Sequence, residues 1–74
     1  MDQKALQIKV GAALRERRTA TGLSQDGFAD SIRMHRAYYG AIERGGKNLT
    51  LQTLQKVCLG LGARMSEILS EAEN

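Results

Sequence analysis

Apolar residues in this chain recur at helical spacing, and no segment alternates convincingly between apolar and polar as a half-buried strand would. Leu6, Val10 and Leu14 stand four apart; Leu51, Leu54, Val57, Cys58 and Leu61 form one stripe; Met65, Ile68, Leu69 and Ala72 form another. The 74 residues contain no proline, so the breaks between helices fall to glycine and small polar residues. The pattern predicts an all-α fold, a compact five-helix bundle forming a single domain over residues 1–74.

The boundaries follow from local chemistry. A first helix ends near Thr21, where "TGLS" breaks it, and Ser24 is placed to cap a second helix, "QDGFADSI". Gly27 holds the position where a capping box wants Glu or Gln. Only "RM" separates this helix from a third, residues 35–44, "HRAYYGAIER", which ends in a glycine pair able to take left-handed conformations. Thr50 caps a fourth helix, weakened at its end by Gly60 and Gly62, and a fifth begins near Met65.

Size and composition narrow the function. A chain this short buries only about 60% of the surface its unfolded form exposes, so a partner subunit is a natural source of stability. Charged residues make up 26% of the chain, and no apolar run approaches the roughly 20 residues of a membrane span, which makes a soluble protein with no membrane partner the expectation. The start "MDQKALQIKV" lacks the basic start and apolar centre of a secretory signal, which points to the cytoplasm. Cys58 is the single cysteine and His35 the single histidine; neither a disulfide nor a zinc site is expected, and no cofactor. Residues 1–64 carry all eleven Lys and Arg against five acids, a body of +6, and the remainder adds three Glu. Such a body suits an anionic partner such as nucleic acid.

The third helix divides on a helical wheel. With Tyr39 at zero, Ile42 falls within about 60° and Glu43 within about 40°, while Ala37, Ala41 and Arg44 lie more than about 130° away. Tyr39 and Ile42 mark the core side. The outward stripe, Ala37, Gly40, Ala41 and Arg44, is small residues ending in a base, flanked by Tyr38 and Arg36. Such a stripe is either a solvated face on which Ala and Gly are tolerated or a face made for close approach. Gly40, costing about 1 kcal/mol relative to Ala inside a helix, invites a steric reason. Glu43 faces inward and needs a paired charge, which Arg17 or Arg18 can supply from the core side of the first helix.

These residues resemble the helix-turn-helix regulators of the Cro and phage-repressor type, the XRE group with its lambda-repressor-like DNA-binding domain. "GAALRERRTATGLSQDGFADSI" is similar to the first two helices of that group, with Arg18, Leu23, Ser24, Gln25 and Ala29 at pattern positions, and "HRAYYGAIERG" to its recognition helix. "R-A-Y" followed by "ERGGKNLTL" looks most like the controller proteins of restriction-modification systems. The resemblance spans about Val10 to Leu69 and implies a homodimer that sets residues 35–44 in the major groove of a palindromic operator, with the start of the second helix on phosphate.

Carried over to this chain, the resemblance makes Arg36, Ala37, Tyr38 and Ala41 base-contacting, and Ser24, Gln25, Arg44, Lys47 and Asn48 phosphate-contacting. It pairs Arg18 with Glu43. Met65, Ile68 and Leu69 are expected at the dimer interface, and RNA polymerase is a further candidate partner. Arginine suits guanine because its fork meets O6 and N7 together, and alanine or a tyrosine ring rests on a thymine methyl. Three positions depart from the group's pattern: Arg33 where glycine is usual in the turn, His35 where Ser or Thr starts the recognition helix, and Gly40 where Ser is usual.

Other classes read less well. His35 lacks a carboxylate, Ser or Cys cluster at motif spacing, which argues against an enzyme. The alternative is an antitoxin-type protein that binds a partner protein as well as its operator; proteins of that kind usually add a toxin-gripping segment, and about five residues follow Leu69.

Overall fold

A computed structural model describes residues 1–74. Five helices follow in order: α1 (Gln3–Thr21), α2 (Gln25–Ser31), α3 (Arg36–Glu43), α4 (Leu51–Leu61) and α5 (Met65–Glu73). None is long and apolar enough to cross a membrane. Side chains satisfy the first backbone N–H groups of four of the five helices or their caps. The Asp2 carboxylate accepts from the Ala5 N–H at 2.7 Å, Ser24 Oγ from Gly27 N at 2.9 Å, and Thr50 Oγ1 from Thr53 N at 3.0 Å. At α5 the bond runs backward, from Arg64 N to Glu67 Oε1 at 2.8 Å. Helix α3 alone starts without help: His35 occupies its cap position and makes no side-chain bond to the helix.

One closure ends α2, α3 and α4. In each, a residue at the cap or just past it takes a positive φ and the following N–H reaches back to a carbonyl five residues earlier: Met34 to Ala29, Gly46 to Ala41, Ala63 to Cys58. Gly62 and Gly45 hold the positive-φ place in two of them, at φ 69° and 76°. Gly45 is also pressed against α1, where an added Cβ would lie 2.6 Å from Ile8 Cα. In the third closure the residue is Arg33, at φ 56°, the one non-glycine residue of the chain in that region. Of the pair at the end of α3, only Gly45 turns left-handed.

The core gathers Leu14, Phe28, Tyr39, Ile42, Val57, Cys58 and Ile68, all at most 2% exposed. Phe28 and Tyr39 meet as tilted rings 5.0 Å apart, joining α2 to α3. Burial pushes the Cys58 thiol upward, as suits a small apolar filler. Gly11 lets α3 close on α1: a Cβ there would stand 2.5 Å from the carbonyl oxygens of both Ile42 and Glu43. Gly60 likewise yields its place to Ile32 and Phe28 rather than merely weakening α4.

Two sequence expectations are corrected by this packing. Leu51 falls on the apolar stripe of α4, yet it is 73% exposed, because it opens the helix at the end of the bundle where the core formed by Leu54, Val57 and Cys58 has not begun. Ile68, expected at a subunit interface, is 0% exposed in the single chain. Its side chain is spent on this core and cannot touch a partner. Two of the three acids of α5 are tied to α1 as well: Glu71 accepts from Arg17, and Glu67 lies 3.8 Å from the same guanidinium.

Candidate nucleic-acid interface

Helices α2 and α3, joined by the turn at Arg33, stand on one carboxylate. Arg18 of α1 donates Nε to Glu43 Oε2 at 2.7 Å and Nη2 to Oε1 at 3.1 Å, and Gln25 at the start of α2 donates Nε2 to the same Oε1 at 2.9 Å. The third arm of Arg18, Nη1, donates to the Leu23 carbonyl at 2.9 Å. Three helices and the loop between α1 and α2 therefore share one anchor. Burial works against ionising Glu43, but the polar groups around it, Arg18 foremost, outweigh it and hold the carboxyl below the usual range. The Tyr39 phenol is pushed up, by burial first and then by the nearby Glu43 carboxylate. Between Arg17 and Arg18, the partner of Glu43 is Arg18.

Gly40 gains its steric reason from this anchor. It is buried, and a Cβ on it would stand 3.1 Å from both Gln25 Oε1 and Arg44 Nη1. The sequence reading set Gly40 on the outward stripe. The structure moves it to the flank facing α2, where the missing side chain makes room for Gln25 to cross to Glu43. The close approach is internal.

The remaining outward residues of α3 are Ala37, exposed, and Ala41, half-buried. Tyr38 is half-buried as well, with Lys47 Nζ 5.5 Å from its ring centroid. Its cationic neighbour is Lys47, from the loop that follows α3. Arg44 and Lys47 are exposed and form no ion pair. Ser24 is exposed; its Oγ accepts from Gly27, which leaves the hydroxyl proton free to donate outward. Asn48 is exposed and accepts from Gln7 Nε2 at 3.4 Å, which holds the loop against α1.

Arg36, at the first position of α3, is not alone. It donates Nε to Asp30 Oδ1 at 3.0 Å and Nη2 to Asp30 Oδ2 at 2.6 Å, and Asp26 Oδ2 lies 3.6 Å from Nη1. Hydrogen bonding to Arg36 holds the Asp30 carboxyl below its usual range. Sequence reasoning missed both aspartates. Their signal was present, two acids four apart on α2, but nothing in the spacing told that the turn would bring Arg36 alongside them.

A short helix, a tight turn and a second helix with a shallow outward face of small residues, rimmed by bases, define a helix-turn-helix unit, and the sequence comparison agrees. The helix-turn-helix family model matches residues 14–68. The chain belongs to this family of DNA-binding regulators. It is similar to the control protein C.MunI of Mycoplasma sp, 41% identical over 69 residues that cover 92% of this chain and 93% of that protein. Among solved structures it matches the restriction-modification controller protein C.AhdI from Aeromonas hydrophila with a TM-score of 0.84 at 38% identity, covering 92% of this chain and 99% of the other. The clp gene regulator ClgR from C. glutamicum superposes with a TM-score of 0.87 at 35% identity, covering 92% and 87%.

Proposed function

We propose that this protein is a sequence-specific transcriptional regulator which binds a palindromic operator as a homodimer, with α3 in the major groove, and controls restriction-modification genes in the cytoplasm. The observation that carries the reading is the shape and charge of α3: Ala37 and Ala41 leave the outward face low, and Arg36, Tyr38, Arg44 and Lys47 surround it. In this arrangement Arg36, Ala37, Tyr38 and Ala41 meet base edges, while Ser24, Arg44, Lys47 and Asn48 meet phosphate. Gln25 has given one amide proton to Glu43, so its share of phosphate binding is the second. Likeness to the named controller proteins supports the restriction-modification assignment, and contact with RNA polymerase belongs to the same reading.

A single copy measures 31 × 21 × 20 Å, shorter than the 34–36 Å between half-sites one helical turn apart, so a palindrome calls for two. The dimer face follows from exposure. Helix α4 carries two strongly exposed leucines, Leu51 and Leu59, 73% and 76% exposed. Beside them lie half-buried Leu69, in an apolar cleft with Leu6 and Leu51, and half-buried Met65, next to Leu59 and Ala63. The interface is then Met65 and Leu69 together with Leu51 and Leu59, supported from beneath by Ile68.

Footprinting on the DNA upstream of the protein's own gene tests the reading. Protection of an inverted repeat with half-site centres about 10 base pairs apart is the expected result. Equal affinity for that DNA and for random duplex at physiological salt is the result that overturns it.

A further inference from the structure

Arg36 differs from the other cations around α3 in having carboxylates of its own. Arg44 and Lys47 stand unpaired, whereas Asp30 grips Arg36 through two hydrogen bonds and Asp26 lies 3.6 Å away. The grip is on one edge of the guanidinium. Of its five N–H groups, Asp30 takes Nε–H and the adjacent Nη2–H, the side edge. The end edge, one proton each on Nη1 and Nη2, makes no hydrogen bond, and Asp26 Oδ2 stands 3.6 Å from Nη1, beyond hydrogen-bond reach.

The local charge decides which ligand fits. Arg36 with Asp26 and Asp30 forms a spot of net charge −1 within an otherwise basic face. A phosphate docking there brings a third anion against two carboxylates. A guanine edge brings O6 and N7, which are neutral acceptors and match a two-pronged donor. The arrangement thus disfavours backbone contact at the arginine, and it leaves the end edge without a hydrogen bond of its own.

We infer that Asp30 is a positioning residue for sequence readout, holding Arg36 by its side edge so that the end edge meets guanine and not the phosphate backbone. The inference rests on the reading of α3 as the groove helix. It makes the arginine and the aspartate one specificity device across the turn, and it gives Asp26 a different task, repulsion without positioning.

The test is selection from a randomised duplex library with wild type, Asp30→Ala, Asp26→Ala, Arg36→Ala and the double variant Asp30→Ala with Arg36→Ala, followed by dissociation constants on the selected duplex, on its guanine-substituted forms and on one random duplex at fixed salt. Arg36→Ala is expected to abolish preference for one guanine per half-site. Asp30→Ala is expected to tighten binding to the random duplex, since a negative charge is gone, while cutting that guanine preference about tenfold. Asp26→Ala tightens random binding and keeps the preference, and in the double variant the loss of Asp30 lowers the preference no further than Arg36→Ala does. Melting curves establish that each variant is folded, as expected for exposed side chains. If Asp30→Ala keeps the full guanine preference, as Asp26→Ala does, the inference is overturned and the groove reading stands. If Arg36→Ala itself leaves every preference intact, it is the placement of α3 in the groove that fails, and the inference with it.

Discussion

Arg18 and Glu43 meet as a two-pronged ion pair at 2.7 and 3.1 Å, with 9% and 2% of their side chains exposed, 25 residues apart in the chain. Charged pairs at this depth give geometry more than net stability, since each ion loses its water on burial. Here the geometry is the register of α1, α2 and α3, because Gln25 shares the carboxylate. Glu43→Gln leaves Arg18 without its counter-charge and is expected to cost about 3 kcal/mol, the lower end of the range for a broken buried pair, as the Arg18 stem borders solvent. Replacing both by apolar residues costs less.

The same pair sets the acid limb of stability. The folded carboxyl of Glu43 lies below its unfolded value, so the pair's contribution is complete above about pH 4.3 and is lost as pH falls through the folded value. Thermal melts of wild type therefore drop more steeply than those of Glu43→Gln between about pH 4.5 and pH 2. Parallel curves for the two proteins contradict this.

The turn before α3 carries two local conflicts. Arg33 sits at φ 56° where glycine is free of penalty, and His35 leaves the start of α3 uncapped. Arg33→Gly is expected to stabilise the fold by about 1 kcal/mol, the difference in cost of a left-handed residue less the entropy that glycine adds to the unfolded chain. His35→Ser adds a hydroxyl acceptor for the free N–H groups of α3, worth about 1 kcal/mol. In a domain of this size each change raises the melting midpoint by about 4–8 °C. A midpoint unchanged or lowered in Arg33→Gly refutes the strain argument.

How far the sequence announced these features depends on how local their causes are. Ser24, Thr50 and the closing glycines are read from a few neighbours each, so the five helices and their order are legible. The face of Tyr39, Ile42 and Glu43 is legible because one helix fixes it. The tasks of Gly40, Gln25 and Asp30 depend on the angle at which α2 crosses α3, and no periodicity encodes an angle. Leu51 shows the converse: a wheel places it on the apolar stripe, but burial requires a neighbour, and the bundle ends before reaching it.

That exposure makes the dimer testable apart from the fold. Leu51→Glu and Leu59→Glu change surface residues and are expected to shift monomer stability by no more than about 0.5 kcal/mol. They place charge in the proposed interface, so sedimentation at micromolar concentration is expected to show monomers, with affinity for a palindromic duplex falling to that for a single half-site. Ile68→Ala acts differently, costing about 2–5 kcal/mol through a core cavity. Dimers that persist in both glutamate variants rule out this face.

The adjacent tyrosines of α3 divide between the two sides of the molecule. Tyr39 is 0% exposed against Phe28, and Tyr39→Ala is expected to cost about 3–5 kcal/mol and to unfold so small a domain. Its hydroxyl has no hydrogen-bond partner within the protein, so Tyr39→Phe keeps the packing and leaves stability within about 1 kcal/mol of wild type. Tyr38 is half-buried, with the Lys47 ammonium over its ring, an interaction worth about 0.5–1 kcal/mol at an exposed site. Tyr38→Ala is therefore expected to lower stability by about 1 kcal/mol, more than a bare surface residue and far less than Tyr39→Ala. Because Lys47 then loses its rest, Tyr38→Ala acts on DNA binding in two ways, through the lost ring at a base edge and through a freer lysine at phosphate. Lys47→Ala separates them: it weakens binding to all duplexes and reduces the slope of log affinity against log salt by about 1, with sequence preference retained. Tyr38→Phe keeps the ring and is expected to bind like wild type if the ring makes the contact. Should Tyr38→Ala unfold the protein while Tyr39→Ala leaves it intact, α3 is turned the other way about its axis and the groove-facing set is a different one.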